Sequence, residues 1–441
     1  MSKQISFISN PVDGAKVRGE LRVPGDKSIS HRAVMLGAIA EGVTQVSGFL
    51  HGEDNLATVN AFRAMGVDIE QHSDTELTIH GVGLHGLAAP ASVLDLGNSG
   101  TSIRLLTGLL AGQGFASTLT GDASLRKRPM RRVTEPLAEM GALIKTSENG
   151  TPPLTISPSK GLHGIDYQMP VASAQVKSCL ILAALYAKGI SRITEPAPTR
   201  DHTERMLAGF SSPLVSAGRS VVVDPAKVLL KATTVDVPAD ISSAAFFLVA
   251  ASIVLGSDLL LRHVGVNPTR IGVINILKHM GANIDIGELR VIGGEPVADI
   301  RVRGARLRGI RIAEEQVPLA IDEFPALFIA AACAEGETVL TGAEELRVKE
   351  SDRIQSMAEG LTILGVDARP QADGIIIRGG SIGGGEVNSY GDHRIAMAFT
   401  VAGTVARQAV TIRDCHNVNT SFPYFVELAR SVGIDVAVTG Q

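Results

Sequence analysis

AFRAMGVDIE (residues 61–70), PLAEMGALIK (136–145), ILKHMGANID (276–285), GLTILGVDAR (360–369) and ELARSVGIDV (427–436) are five versions of one phrase. In each, a helical apolar pattern ends on glycine and passes into an alternating strand pattern. A sixth, degenerate copy, RMLAGFSSPLV (205–215), carries Ser211 where glycine is expected. From Gly66 through Gly141, Ser211, Gly281 and Gly365 to Gly433 the spacings are 75, 70, 70, 84 and 68 residues. Glycine just past a helix supplies the left-handed cap that turns the chain, because it adopts positive φ without a Cβ clash. Each copy therefore predicts a helix turning into a strand, and the chain predicts six such units.

Three copies precede residue 240 and three follow it. The segment KATTVDVPADISSA (231–244), with Pro238, reads as the junction. A first domain of residues 23–239 has 217 residues, and 240–441 has 202; adding residues 1–22 brings the second to 224. The near equality assigns the N-terminal strand to the second domain. The chain then crosses twice, near residues 22–24 and 238–240, forming a double-stranded hinge with the substrate cleft expected between the domains.

Composition narrows the function. Lys and Arg total 41 against 45 Asp and Glu, for a net charge of −4, which argues against a general polyanion binder. With no Trp and four Tyr, stacking platforms for nucleic acid or sugars are scarce. Cys179, Cys333 and Cys415 are odd in number and far apart, so neither a disulfide framework nor a cysteine zinc site is indicated. Residues 1–14 show no apolar h-region and no small-residue cleavage site, so export is not expected, and the longest apolar run, residues 244–255, suits a buried helix rather than a membrane span. A reducing cytoplasm is expected.

PGDKSISHR (24–32) sets Lys27, Ser28 and Arg32 where a glycine turn enters a helix. Such a turn binds phosphate through backbone N–H groups and cations, although a solvated helix start accounts for the same charges. RKRPMRR (126–132) holds five cations in seven positions. That self-repulsion calls for a small polyanionic substrate, with a plain solvated loop or nucleic acid as alternatives. Read as helix, RVKESDR (347–353) puts Lys349 and Arg353 on one face with Glu350 beside Arg353, a spacing that an exposed salt-bridged helix shares. Asp392 and Arg394 in YGDHR (390–394) allow the same two readings. In LAIDEFP (319–325), Asp322 and Glu323 interrupt an apolar stretch. A carboxylate so placed either has a raised pKa suited to proton transfer or is structurally paired.

Other matches fail. GVGLHG (81–86) spells a dinucleotide fingerprint, but no helix pattern follows and it reads as a hairpin loop. HTE (202–204) lacks the cysteine pair of a zinc deaminase, and no histidine spacing fits a metal.

In order along the chain, PGDKSISHR, LGNSGTSIR (96–104), RKRPM, ASAQ (172–175), TRDHTE (199–204), IDEFP, ELRVKESDR and GDHR resemble the 5-enolpyruvylshikimate-3-phosphate synthase family. The resemblance implies an α/β fold of two domains, each of three βαβαββ units. This six-fold repeat is the inside-out α/β barrel of the enolpyruvyl transferases, closing on its substrates like a hinge. It implies transfer of the enolpyruvyl group of phosphoenolpyruvate to the 5-hydroxyl of shikimate 3-phosphate, in the shikimate pathway, by a monomer without metal or organic cofactor. Phosphoenolpyruvate would meet Lys27, Gly100, Arg128, Gln175, Arg353 and Arg394. Shikimate 3-phosphate would meet Lys27, Ser28, Arg32, Ser173, Ala174, Gln175, Arg200, Asp322 and Lys349. The reaction passes through a tetrahedral ketal, and the resemblance gives its proton transfers to Glu350 and Asp322, with Lys27 assisting.

NTSFP (419–423) places Thr420 where many members of the family have Lys, so that contact is not carried over. ASAQ and TRDHTE belong to the family's divergent branch, some of whose members tolerate glyphosate. Gly100, where tolerant members can carry Ala, leaves room for the inhibitor and implies sensitivity. The sister family acting on UDP-N-acetylglucosamine presents a loop cysteine in its first domain; here no Cys precedes Cys179. A non-catalytic RNA-binding scaffold is the alternative of another class.

Overall fold

The chain is described by a computed structural model covering residues 5–11, 14 and 16–440. In all six copies of the repeated phrase the residue after the helix is left-handed: φ is 88° at Gly66, 92° at Gly141, 96° at Gly281, 81° at Gly365, 93° at Gly433 and 65° at Ser211. In each copy the next N–H donates to the carbonyl five residues back. The pairs are Val67 to Phe62, Ala142 to Leu137, Ser212 to Leu207, Ala282 to Leu277, Val366 to Leu361 and Ile434 to Ala429, at 2.8–3.1 Å. These are six Schellman closures, the sixth made by a serine in the glycine conformation.

Among the described residues, six sheets accompany the six turns. In one, Leu94–Asp95 and Ser117–Thr120 run parallel, while Leu154–Ser157 and Leu143–Lys145 add antiparallel. With helices Gly100–Ala111 and Arg131–Glu139 between the strands, this is a βαβαββ module. Asp166–Gln168, Ser191–Thr194, Ser220–Val223 and Val215–Ala217 repeat the order. Three modules take a strand from elsewhere in the chain. Thr234–Asp236 pairs in parallel with Glu41–Ser47, and Arg18–Leu21 with Asp258–Gly265. Ser6–Asn10 lies between Val410–Arg413 and Asp435–Thr439.

The chain divides into two compact units: Met1–Pro24 with Pro238–Arg290 and Pro296–Gln441, and Gly25–Val237 with Val291–Glu295. The short excursion at Val291–Glu295 adds two passages of chain to the two read from sequence. Each unit has its own apolar core. Three helices of each unit are enclosed by that core: Lys27–Ile39, Gly100–Ala111 and Ala174–Ala184 in one, and Ile241–Ile253, Phe324–Ala332 and His393–Gly403 in the other. Twelve of the 13 residues of Ile241–Ile253 and all nine of Phe324–Ala332 are buried. A helix with no solvent face must be apolar all round, which is why ISSAAFFLVAASI shows no amphipathic period. Buried helices expose only their ends, and those ends carry the charged motifs.

Candidate active site

In the Gly25–Val237 unit, each enclosed helix starts at a motif with a side-chain cap. Asp26 Oδ1 accepts from Ile29 N at 2.9 Å, Ser99 Oγ from Ser102 N at 3.1 Å, and Ser173 Oγ from Val176 N at 3.4 Å. The first N–H groups of such helices and their positive partial charge suit an anion. Lys27, at the first start, reaches Asp54 Oδ2 at 2.9 Å. At the second, Arg128 Nη2 donates to Asn98 Oδ1 at 2.7 Å. Arg104 Nη1 donates to Gln175 Oε1, and Gln175 Nε2 donates to Thr101 Oγ1 at 3.0 Å. A Cβ at Gly100 would stand 2.7 Å from Arg128 Nη1 and 3.3 Å from Arg104 Nη1, so glycine admits the close approach of both guanidinium groups.

Two buried groups brace these starts. Arg32 donates from Nε to Thr203 Oγ1 at 2.7 Å and from Nη2 to Ser178 Oγ at 2.8 Å. Burial lowers its pKa to about 10 against the opposing pull of Glu204 and Asp26, so it remains a cation at neutral pH. His31 Nδ1 lies 2.8 Å from Thr58 Oγ1, and its Nε2 lies 3.5 Å from Ser99 Oγ. Burial first, then Lys27 and Arg32, hold its pKa well below the usual histidine range. The ring is therefore a neutral hydrogen-bonding tie between two helix starts.

In the other unit, Asp322 and Glu323 diverge. Glu323 is buried, where Oε1 accepts from Ser242 Oγ and has Arg270 Nη2 at 3.7 Å. Asp322 Oδ1 has Lys349 Nζ at 3.7 Å and Arg353 Nη1 at 3.6 Å, and its carbonyl accepts from Arg394 Nη1 at 3.0 Å. Arg353 is enclosed, donating from Nε to Asp392 Oδ2 at 2.8 Å and from Nη2 to Glu350 Oε2 at 2.6 Å. Burial alone would lower its pKa; Asp392 and Glu350 outweigh burial and raise it. Asp392 also caps His393–Gly403, accepting from Arg394 N at 2.9 Å, and takes Ser351 Oγ at 3.1 Å. One fixed cation is thus flanked by two part-exposed carboxylates, Asp322 and Glu350, and sealed from behind by Asp392.

A family profile described as EPSP synthase (3-phosphoshikimate 1-carboxyvinyltransferase) matches residues 12–428. The chain belongs to the EPSP synthase family. It is 67% identical over 437 residues to the 3-phosphoshikimate 1-carboxyvinyltransferase of Methylococcus capsulatus, covering 99% of both chains. To the protein of that name from Legionella pneumophila it is 56% identical over 432 residues, covering 98% of this chain and 99% of the other. It superposes on an EPSP synthase from Acinetobacter baumannii with a TM-score of 0.89 at 55% identity, covering 99% of this chain and 100% of that one. The enolpyruvyl transferase NikO from Streptomyces tendae, 16% identical over 100% of both chains with a TM-score of 0.79, shares the fold.

In this EPSP synthase family chain the readings of RVKESDR and LAIDEFP need correction, and the structure adds detail to RKRPMRR and the cysteines. RVKESDR is not a helix: a 3₁₀ turn at Glu344–Val348 gives way to extended Lys349, and the helix starts at Arg353 behind the Asp352 cap. Lys349 and Arg353 meet across Asp322 instead of along one helix face. Asp322 stands among cations rather than in an apolar surround, and Glu323 is the structurally paired carboxylate of the two. In RKRPMRR, Arg126, Lys127 and Arg131 are solvated and Arg128 turns inward, because the motif folds as a 3₁₀ turn, an extended residue and a new helix start. Burial pushes the Cys179, Cys333 and Cys415 thiols up to about 12, so none is a reactive thiolate at neutral pH.

The motifs also hid contributors. Arg104 and His31 lie inside LGNSGTSIR and PGDKSISHR, one turn past residues singled out, and helical spacing alone could have put them beside the site. Among the described residues, Asp68, Glu70 and His80 bring three potential metal ligands within 4.8 Å, a cross-strand grouping that sequence spacing does not reveal.

Proposed function

We propose that this member of the EPSP synthase family transfers the enolpyruvyl group of phosphoenolpyruvate to the 5-hydroxyl of shikimate 3-phosphate, releasing phosphate, in the shikimate pathway toward aromatic amino acids. The 5-oxygen bonds to C2 of phosphoenolpyruvate as its proton leaves and the methylene carbon gains one, giving a tetrahedral ketal. The ketal then loses phosphate from C2 and a proton from the methyl group, and the double bond returns. Glu350 gives and retakes the proton at carbon, Asp322 accepts the hydroxyl proton and passes it to the departing phosphate, and Lys27 assists.

Support for these roles comes from Arg353, which holds Glu350 at 2.6 Å while Asp322 stands 3.6 Å from another of its nitrogens. Two carboxylates thus flank one buried cation, which places a proton donor and a proton acceptor side by side. Arg353, Arg394, Arg128, Lys27 and Gln175 bind the carboxylate and phosphate of phosphoenolpyruvate, and Gly100 leaves it room. Ser28, Arg32, Ser173, Ala174, Gln175, Arg200 and Lys349, with Lys27 and Asp322, receive shikimate 3-phosphate. We read the enzyme as a cytoplasmic monomer that needs no metal or organic cofactor and binds neither nucleic acid nor membrane. Among the described residues no helix is long and apolar enough to cross a membrane.

The test is phosphate release from phosphoenolpyruvate with shikimate 3-phosphate, beside UDP-N-acetylglucosamine and beside the Glu350→Gln variant. Release with the shikimate ester alone, greatly slowed in the variant, is the expected result. Release with the UDP-sugar instead, or undiminished turnover in Glu350→Gln, overturns the substrate or the role.

A further inference from the structure

We propose that Lys177 is a positioning residue for the acceptor site: its buried ammonium fixes the segment that carries Arg200. This rests on the reading of Arg200 as a shikimate 3-phosphate ligand. Lys177 lies on helix Ala174–Ala184 one turn beyond Ala174, and its side chain is 2% exposed. Nζ lies 3.2 Å from Glu195 Oε1, 2.9 Å from Glu204 Oε1 and 3.5 Å from the Thr199 carbonyl. Glu195 follows strand Ser191–Thr194, and Glu204 is in helix His202–Gly209, so one ammonium grips both ends and the middle of residues 195–204. Glu195 reinforces the middle, accepting from Thr199 N at 3.2 Å and from Thr199 Oγ1 at 2.5 Å. Arg200 is the next residue.

The neighbouring helix position ties in the rest of the acceptor set. Ser178 Oγ accepts from Thr203 Oγ1 at 2.7 Å and from Arg32 Nη2 at 2.8 Å. One turn after Ser173, Ala174 and Gln175, the same helix therefore anchors Arg32 and the Arg200 segment together. The charges also interlock, since Glu204 is the strongest of the charges that keep Arg32 protonated despite its burial. Removing the ammonium leaves two largely buried carboxylates facing each other, and such a segment shifts to separate or hydrate them. An ordinary core ion pair would stabilise the fold without preference for a substrate. Here every partner of the ammonium lies on the segment that presents Arg200, so the loss falls on the acceptor.

The experiment measures both KM values and kcat for Lys177→Met, Arg200→Ala and the double variant. Lys177→Met is expected to raise KM for shikimate 3-phosphate about tenfold and leave KM for phosphoenolpyruvate within about twofold, with much of that rise absent in the Arg200→Ala background. Equal rises in both KM values, or a Lys177→Met effect undiminished without Arg200, overturn the proposal. Should Arg200→Ala itself leave KM for shikimate 3-phosphate unchanged, the acceptor reading of Arg200 fails and the proposal fails with it. If Lys177→Met does not fold, Thr199→Val decides by the same criteria, because it loosens the segment without unpairing a charge.

Discussion

Arg353 and Asp392, 39 residues apart in the chain, bind at 2.8 Å with both side chains closed to solvent, and each stands at the start of a different helix. The pair thereby joins two helix N-termini and fixes the guanidinium that holds Glu350. Breaking one side of a buried, hydrogen-bonded pair leaves the other charge uncompensated. Asp392→Ala should therefore destabilise the protein by about 3–5 kcal/mol, read as a shift of the urea midpoint. Asp392→Asn, which can keep the cap to Arg394 N, should lose less stability but still lower kcat.

Gly100→Ala would place a methyl carbon 2.7 Å from Arg128 Nη1. The clash is with the far end of a flexible side chain, so the fold should tolerate it while Arg128 moves. The wild-type enzyme is expected to be sensitive to glyphosate, and the variant should weaken inhibition and raise KM for phosphoenolpyruvate, each by about tenfold, in line with ~1.4 kcal/mol. An unchanged inhibition constant in Gly100→Ala would sink the steric argument.

Ser211 pays the left-handed penalty that glycine avoids at the five other turns. Ser211→Gly should gain about 1 kcal/mol in urea unfolding. The converse change, Gly365→Ala, should lose a similar amount, because a Cβ there meets nothing within 4 Å and the backbone angle is the whole effect.

His31 titrates well below its usual pKa in the folded state, chiefly through burial. Below about pH 6.5 the unfolded chain takes up a proton that the folded ring refuses, so acidification favours unfolding. This contribution is fully present above about pH 6.5 and is lost as pH falls toward the depressed folded value, at up to about 1.4 kcal/mol per pH unit. Melting curves from pH 7.5 to 5 should show that slope in the wild type and a flatter one in His31→Asn; equal slopes would assign the pH dependence to other groups.

How much of the site was legible depended on how local its cause was. Lys27, Gly100, Gln175 and Arg394 sit in motifs whose turn, cap and charge are contiguous, so their helix-start positions could be anticipated. RVKESDR misled because i,i+4 spacing is shared by exposed helices and by loops that bring the same side chains together through a third residue, here Asp322. Lys177 and Glu195 carried no signal, and Glu204 stood in TRDHTE without its partner being legible, since a charge in sequence says nothing about the opposite charge it will face.

By itself the sequence determined the six turns, because a left-handed residue after a helix is dictated by backbone sterics within a few residues. It also determined which enclosed helices lack a polar face, since burial on all sides admits few charges. Tertiary structure alone decided which of Asp322 and Glu323 turns inward, which cation of RKRPMRR is recruited, and which strands Ser6–Asn10 and Arg18–Leu21 pair with inside the domain that the segment lengths assign to them. Those outcomes depend on hydrogen bonds and charge pairs between distant segments, whose partners exist only once the chain has folded.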